Sequence, residues 1–276
     1  MSENIYKPHL AKVVDIKVET GDIKSYKFEL QDAEVRKTLN WKAGQFLILD
    51  IFGVGETIFT FANPQTRNEY IECSIRKVGR VTEAIHNLEV GDTVGIRGPY
   101  GNWFPFDKWN GKNLLYIAGG VGLAALRSPI EFALDTYKDY KKKTILYGAR
   151  SPLDICYKDR FADWEKVPNT DIILTVDKGD AGWKYKVGFV PAVLKEVHPS
   201  PADSVAIICG PPIMIKFVLK ELIDLGFKPE QIITTLEMRM KCGLGKCGRC
   251  NVKNLYICKD GPVFTYAQLK DLPDEY

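Results

Sequence analysis

Four of the chain's seven cysteines fall in one short array near its C-terminal end, Cys242-Gly-Leu-Gly-Lys-Cys247-Gly-Arg-Cys250, closed by Cys258. No other stretch restricts the local fold as much. A single free cysteine is an ordinary core residue. Four in a C-x4-C-x2-C-x7-C pattern, with Gly243, Gly245 and Gly248 among them, call for a shared ligand. The glycines let such a loop fold tightly and aim backbone N–H groups at sulfur.

C-x4-C-x2-C followed by a separate fourth cysteine is the ligand spacing of plant-type [2Fe–2S] centres. Structural zinc also takes four thiolates, but usually as two C-x2-C knuckles, and one is present here. Paired disulfides suit small secreted domains. Unligated core cysteines are the plainest alternative. The spacing favours the cluster.

A chain of 276 residues has room for two domains and a smaller third piece. Its net charge of +3 is too small to imply nucleic acid. Met1 to Leu10 lacks the apolar stretch of a secretory signal. The longest nearly apolar run, Leu114 to Leu126, is too short for a bilayer and holds three glycines. The expectation is a cytoplasmic protein with no membrane span, where thiols stay reduced. His9, His86 and His198 stand in no ligand-like spacing and read as surface or core residues.

From Ala11 to about Gly98 the hydrophobic period is two. Ala11-Lys-Val-Val-Asp-Ile-Lys-Val, Lys24-Ser-Tyr-Lys-Phe-Glu-Leu, Gln45-Phe-Leu-Ile-Leu-Asp-Ile, Tyr70-Ile-Glu-Cys-Ser-Ile-Arg and Thr93-Val-Gly-Ile-Arg read as strands of an antiparallel barrel. One helix interrupts them at Val81-Thr-Glu-Ala-Ile-His-Asn-Leu, opening after Gly79-Arg80. Its free N–H groups suit an anion such as a pyrophosphate, and a simple barrel cap fits the spacing equally well.

After Pro105 short apolar runs alternate with helical spacing. Leu114-Leu-Tyr-Ile-Ala enters Gly119-Gly-Val-Gly122, as a buried parallel strand feeding a glycine turn does. Ser128-Pro-Ile-Glu131 reads as the start of the helix behind it, with an N-cap, a first-position proline and a reciprocal glutamate. Strands at Thr144-Ile-Leu-Tyr, Asp171-Ile-Ile-Leu-Thr, Ser204-Val-Ala-Ile-Ile-Cys and Ile232-Ile-Thr-Thr-Leu alternate with helices opening at Arg160, Val190 and Pro212. This is the pattern of a doubly wound α/β domain, with ligands at the carboxyl ends of its strands. Gly120-x-Gly122 lacks the third glycine of the dinucleotide fingerprint and is weak alone. Cys209-Gly210-Pro211-Pro at a second strand end strengthens the case for a nucleotide crevice.

Taken together, the barrel, Gly-Gly-Val-Gly, Cys-Gly-Pro-Pro and the cysteine array resemble the ferredoxin–NADP reductase superfamily over nearly the whole chain. The most telling stretches are Ile75-Arg-Lys-Val-Gly-Arg-Val-Thr82, Arg97-Gly-Pro-Tyr-Gly-Asn102 and Cys209-Gly-Pro-Pro-Ile-Met214. The nearest branch resembles the electron-transfer subunits of dihydroorotate dehydrogenase, sulfhydrogenase (gamma) and anaerobic sulfite reductase. The tail from Glu237 to Phe264 points to the last two.

The resemblance implies three parts: an FAD-binding β-barrel (1–107), an NAD(P)-binding α/β domain (108–236) and a [2Fe–2S]-binding module (237–276). It implies an FAD ring against Phe59 and Thr60, with Ile75, Arg76, Gly79, Arg80, Val81 and Thr82 on the flavin side and its pyrophosphate at the last four. The nicotinamide dinucleotide, NADH or NADPH, would lie over Gly119, Gly120 and Gly122, its nicotinamide near Cys209, Gly210 and Pro211. Cys242, Cys247, Cys250 and Cys258 would hold the cluster. Arg150 stands where a 2′-phosphate would be met, or is a solvated surface arginine.

Three positions depart from the superfamily pattern. Thr57-Ile-Phe59-Thr60 stands in place of Arg-x-Tyr-Ser, so a phosphate contact must come from elsewhere, Arg76 or Arg80. Ala43 and Ala125 replace prolines. The implied function is an oxidoreductase subunit relaying electrons between NAD(P)H and a catalytic partner, a hydrogenase or sulfite reductase, in a multi-subunit complex. No acid or base in this chain is required for that relay. Lys241, Lys246, Arg249 and Lys253 form either a docking rim for an acidic partner or a solvated face. The rival readings are a self-contained reductase of a soluble carrier and a metal-stapled regulatory module.

Overall fold

A computed structural model describes residues 4–272. The period-two segments form β1 (His9–Val18) and β2 (Ile23–Leu30), where Tyr26, Phe28 and Leu30 point inward between Lys27 and Glu29. Helix α1 (Ala33–Thr38) follows, then β3 (Phe46–Ile51), β4 (Gly55–Thr60), β5 (Ile71–Arg76), α2 (Arg80–His86) and β6 (Thr93–Tyr100). The antiparallel order is β4-β3-β6-β1-β2-β5. Ala62 N–H, just past β4, donates to Glu72 O of β5 at 2.7 Å and links the two outer strands into a barrel. Leu47, Leu49, Phe28, Cys73, Ile75 and Ile96 fill its interior. Trp41 stacks on Phe61 at 4.7 Å and donates its indole N–H to Asn63 O, so the buried ring leaves no orphaned donor.

The parallel part runs β7 (Asn113–Gly119), α3 (Gly122–Asp135), β8 (Lys143–Ala149), α4 (Phe161–Glu165), β9 (Thr170–Val176), β10 (Lys186–Val187), α5 (Val190–Val197), β11 (Ser204–Cys209), α6 (Pro212–Asp224) and β12 (Ile232–Thr235). The cysteine loop carries a small hairpin, β13 (Asn251–Val252) and β14 (Leu255–Tyr256), then α7 (Ile257–Asp260). The chain ends in β15 (Val263–Thr265) and α8 (Tyr266–Leu269). The second sheet reads β10-β9-β8-β7-β11-β12-β15, parallel except for β15, which runs antiparallel to β12. Among the described residues no helix is long and apolar enough to cross a membrane.

The chain divides into two compact units. One holds the chain up to Trp103 together with Glu237–Pro262; the other holds Phe104–Leu236 and the segment from Val263 onward. Residues 1 and 276, the outer bounds of the expected domains, lie outside the described residues.

Two expectations are corrected. The barrel carries two helices rather than one: α1 is only six residues long and is set by Asp32, whose carboxylate accepts from Glu34 N and Val35 N. Helix α3 begins at Gly122, not at Ser128, and Pro129 lies inside it. The glycine turn launches the helix directly. The Pro129 carbonyl accepts from Tyr116 Oη at 3.0 Å, and Glu131 pairs with Arg127 at 3.3 Å instead of capping.

Candidate functional site

In the cysteine loop Gly243, Gly245 and Gly248 hold φ of 75°, 69° and 73°, a region that disfavours side chains. This winding turns backbone donors onto sulfur. Leu244 N and Lys246 N reach Cys242 Sγ at 3.4 and 3.3 Å, and Gly245 N reaches Cys258 Sγ at 3.1 Å. Burial raises the Cys242 pKa, but N–H groups of Leu244, Cys247 and Lys246 and the Cys247 thiol outweigh it and bring the value down to about 6. Cys258 goes the other way, pushed up to about 12 by burial and by Cys250, whose Sγ lies 3.3 Å away.

The thiols thus form two pairs, Cys242 with Cys247 and Cys250 with Cys258. Among the described residues no three His, Cys, Asp or Glu converge as a single metal ion requires. The Cys250 thiol donates to Cys258 Sγ; with both deprotonated, so close an approach would need a cation between them. Two pairs of thiolates in a cradle of N–H donors fit a binuclear iron–sulfur cluster better than one zinc ion.

The stretch from Arg97 to Asn102 has a structural part that its sequence did not suggest. Asn102 donates its N–H to Gly261 O at 2.7 Å and its Nδ2 to Asp260 O at 3.0 Å. A Cβ on Gly243 would lie 2.8 Å from Tyr100 Cδ2. The end of β6 is therefore the seat of the cysteine loop. Arg97 itself is buried and pairs with Glu56 at 2.5 Å. Ile48 opposes both Ile58 and Arg97, whereas Leu47 opposes Phe59. Arg97 thus lies on the sheet face away from Phe59 and does not replace the arginine missing at Thr57.

On the barrel, Phe59 and Val81 both pack against the same core, which brings the half-buried β4 beside α2. Phe59 and Thr60 end that strand, and Ile75 is fully buried next to Arg76. Thr82 Oγ1 accepts from Val78 N and Gly79 N and donates to Gly79 O, each at 2.9 Å. That saturates the hydroxyl, which pins the turn rather than facing a ligand. No side chain caps α2, so the first-turn N–H groups of Arg80 and Val81 have no partner within the helix. Arg76 Nε is bound to Asp22 Oδ2 at 2.8 Å. Arg80 is exposed and has no ion pair among the described residues. These donors fit a pyrophosphate.

In the second unit the two glycine-bearing strand ends meet. A Cβ on Gly122 would stand 2.4 Å from Cys209 O and 2.8 Å from Gly210 Cα, so only glycine admits this approach. Residues 119–122 and 209–211 therefore form one surface at the carboxyl ends of β7 and β11. Gly120 takes φ 55° and donates its N–H to Gly148 O at 2.9 Å. The half-buried Cys209 thiol accepts from Thr235 Oγ1 at 3.4 Å, a partner with no signature in the sequence. Arg150 is an exposed surface arginine whose Nη2 lies 2.6 Å from Asp154 Oδ1.

Comparison with known proteins matches three families: an oxidoreductase FAD-binding domain over residues 10–104, an oxidoreductase NAD-binding domain over 116–220, and the iron–sulfur cluster binding domain of dihydroorotate dehydrogenase B over 237–270. Sulfhydrogenase 1 subunit gamma of Pyrococcus furiosus is 42% identical over 99% of this chain and 95% of its own length. A probable dihydroorotate dehydrogenase B (NAD(+)) electron transfer subunit of Methanocaldococcus jannaschii is 35% identical over 96% and 92%. Among solved structures, that of an NADH-dependent reduced ferredoxin-NADP oxidoreductase covers 97% of this chain and 90% of its own at a TM-score of 0.76. At 23% identity that likeness is one of fold.

Proposed function

The chain belongs to the family of iron–sulfur flavoprotein electron-transfer subunits of the ferredoxin–NADP reductase fold, and from that premise we propose that it relays electrons between NAD(P)H and the catalytic subunit of a multi-subunit complex, a hydrogenase, sulfhydrogenase or sulfite reductase. It is an NAD(P)H-dependent oxidoreductase subunit. The observation that carries the reading is four thiols in one loop, with backbone N–H donors on Cys242 and Cys258 and Cys250 Sγ 3.3 Å from Cys258 Sγ, in a chain that also carries flavin- and nucleotide-binding domains.

When bound, FAD converts an electron pair into single electrons, which the [2Fe–2S] cluster accepts one at a time. The chain's own residues bind and position. Phe59 and Thr60 back the flavin ring. The N–H groups of Arg80 and Val81 hold its pyrophosphate at the start of α2, in a turn that Gly79 and Thr82 shape, with the Arg80 side chain in place of the arginine missing at Thr57, since Arg76 is taken by Asp22. Gly119, Gly120 and Gly122 let the dinucleotide approach the backbone, and Cys209, Gly210 and Pro211 receive its nicotinamide end. Cys242, Cys247, Cys250 and Cys258 would hold the cluster through their thiolates. The functional division we propose is 1–107 for flavin, 108–236 for nucleotide and 237–276 for the cluster. Four of seven cysteines reserved as thiolates for iron support a cytoplasmic setting.

An anaerobic visible spectrum of the purified protein tests this. Flavin and iron–sulfur absorbance that bleaches on addition of NADH or NADPH is the expected result. A colourless, zinc-containing protein would overturn the reading.

A further inference from the structure

Strands β9, β8, β7 and β11 lie side by side and parallel, so their carboxyl ends form one rim. A dinucleotide with its pyrophosphate over residues 119–122 at β7 and its nicotinamide toward β11 must run its adenosine half across β8 and β9. Backbone bonds stitch that path together. Gly120 N–H donates to Gly148 O at 2.9 Å, Asp177 N–H to Ala149 O at 2.9 Å, and Lys178 N–H to Arg150 O at 3.1 Å. Beside it lies an open cleft of about 380 Å³, whose walls include Leu153, Phe161, Trp183 and Tyr185. Flat aromatic and aliphatic walls suit an adenine ring.

The cleft wall also carries Lys158 and Asp180; beside it, at the ends of β8 and β9, stand Arg150, Asp154, Asp177 and the exposed Lys178. Asp154 holds Arg150 through Oδ1 at 2.6 Å and accepts from Ser151 Oγ through Oδ2 at 2.7 Å. Asp177 follows β9, and burial raises its pKa, with Arg150 opposing and Asp154 adding to the rise. Asp154 bonds the guanidinium directly, and Asp177 lies near enough to feel its charge. A ribose 2′-hydroxyl can donate to either carboxylate. A 2′-phosphate would face both, and the arginine that would meet it is already held.

We propose that Asp154 and Asp177 make this domain select NADH over NADPH. The inference rests on reading this rim as the nicotinamide dinucleotide crevice, and it assigns the selection to those two carboxylates.

Calorimetric titration of the full-length protein with NAD+ and with NADP+ tests the selection without turnover. The expected result is NAD+ binding at least roughly tenfold tighter, since like charges brought together disfavour the wrong ligand. Asp177→Asn and Asp154→Asn should each narrow that ratio several-fold through tighter NADP+ binding. In the Asp154→Asn background, a further Arg150→Gln change should reverse the gain, because the freed guanidinium is what meets the phosphate. Flavin and iron content, measured on every variant, confirm folding. NADP+ binding as tight as NAD+, or a ratio unmoved by either asparagine, would overturn the selection. Binding of NAD+ without any electron transfer would leave it standing and sink the relay instead. Binding of neither nucleotide would sink both.

Discussion

The two glycine-rich sites differ in how far along the chain their parts are gathered. In the cysteine loop every sulfur and every N–H donor to sulfur comes from residues 242–258. The nucleotide rim joins residues 119–122 to 209–211, and its polar flank adds Arg150, Asp154 and Asp177. The first site is built by local winding and the second by a parallel sheet. Damage to one should therefore leave the other intact.

Cys258→Ser gives the largest effect. It breaks the Cys250–Cys258 pair, and iron content and visible cluster absorbance should be lost, while NAD+ affinity stays within about twofold because the two sites share no residue and belong to separate compact units. A parallel loss of nucleotide binding would break the comparison. Gly122→Ala is the converse. Its Cβ would overlap Cys209 O, an overpacking cost of about 1–3 kcal/mol, so NAD+ affinity should fall roughly tenfold with the cluster spectrum unchanged.

A third change probes the flavin side. Arg80→Gln removes a charge-assisted contact worth about 1.5–3 kcal/mol, and FAD should dissociate about ten- to a hundredfold more readily in a flavin-release assay. Arg76→Gln removes an exposed pair with Asp22 worth about 1 kcal/mol or less and should hardly alter flavin retention. If Arg76 proves the more important, the replacement for the missing arginine is misassigned. The smallest effect belongs to Thr235→Val. Losing a hydroxyl donor to Cys209 Sγ should slow alkylation of that thiol a few-fold, read by mass spectrometry, and Thr235→Ser should restore the rate.

Local origin also decides what the sequence could disclose. The cysteine spacing announced its site because ligands and donors lie within one loop. Strands of strict alternation, such as Tyr26, Phe28 and Leu30 in β2, were equally plain. β4 carries no such signal: it is an edge strand, half-buried along its whole length, with no alternation. Helix α1 left a signal in Asp32, but six residues give no period. Ser128-Pro-Ile-Glu131 carried a helix-start pattern that the preceding glycine turn overrode. Neither the antiparallel addition of β15 to β12 nor the Arg150–Asp154 pair beside Asp177 has a sequence signature, because each depends on where distant strands or loops end up. The resemblance assigns residues to each cofactor; the Thr82 hydroxyl bonds and the Asp22–Arg76 pair show which of their groups already have partners within the chain.

The most direct test of the relay is an anaerobic reductive titration of the purified protein that counts electrons per chain. Uptake of about three electrons, two for a flavin and one for a [2Fe–2S] centre, is the predicted result. Uptake of none would contradict the account outright, and uptake of two with no iron present would reduce the cysteine module to a structural element.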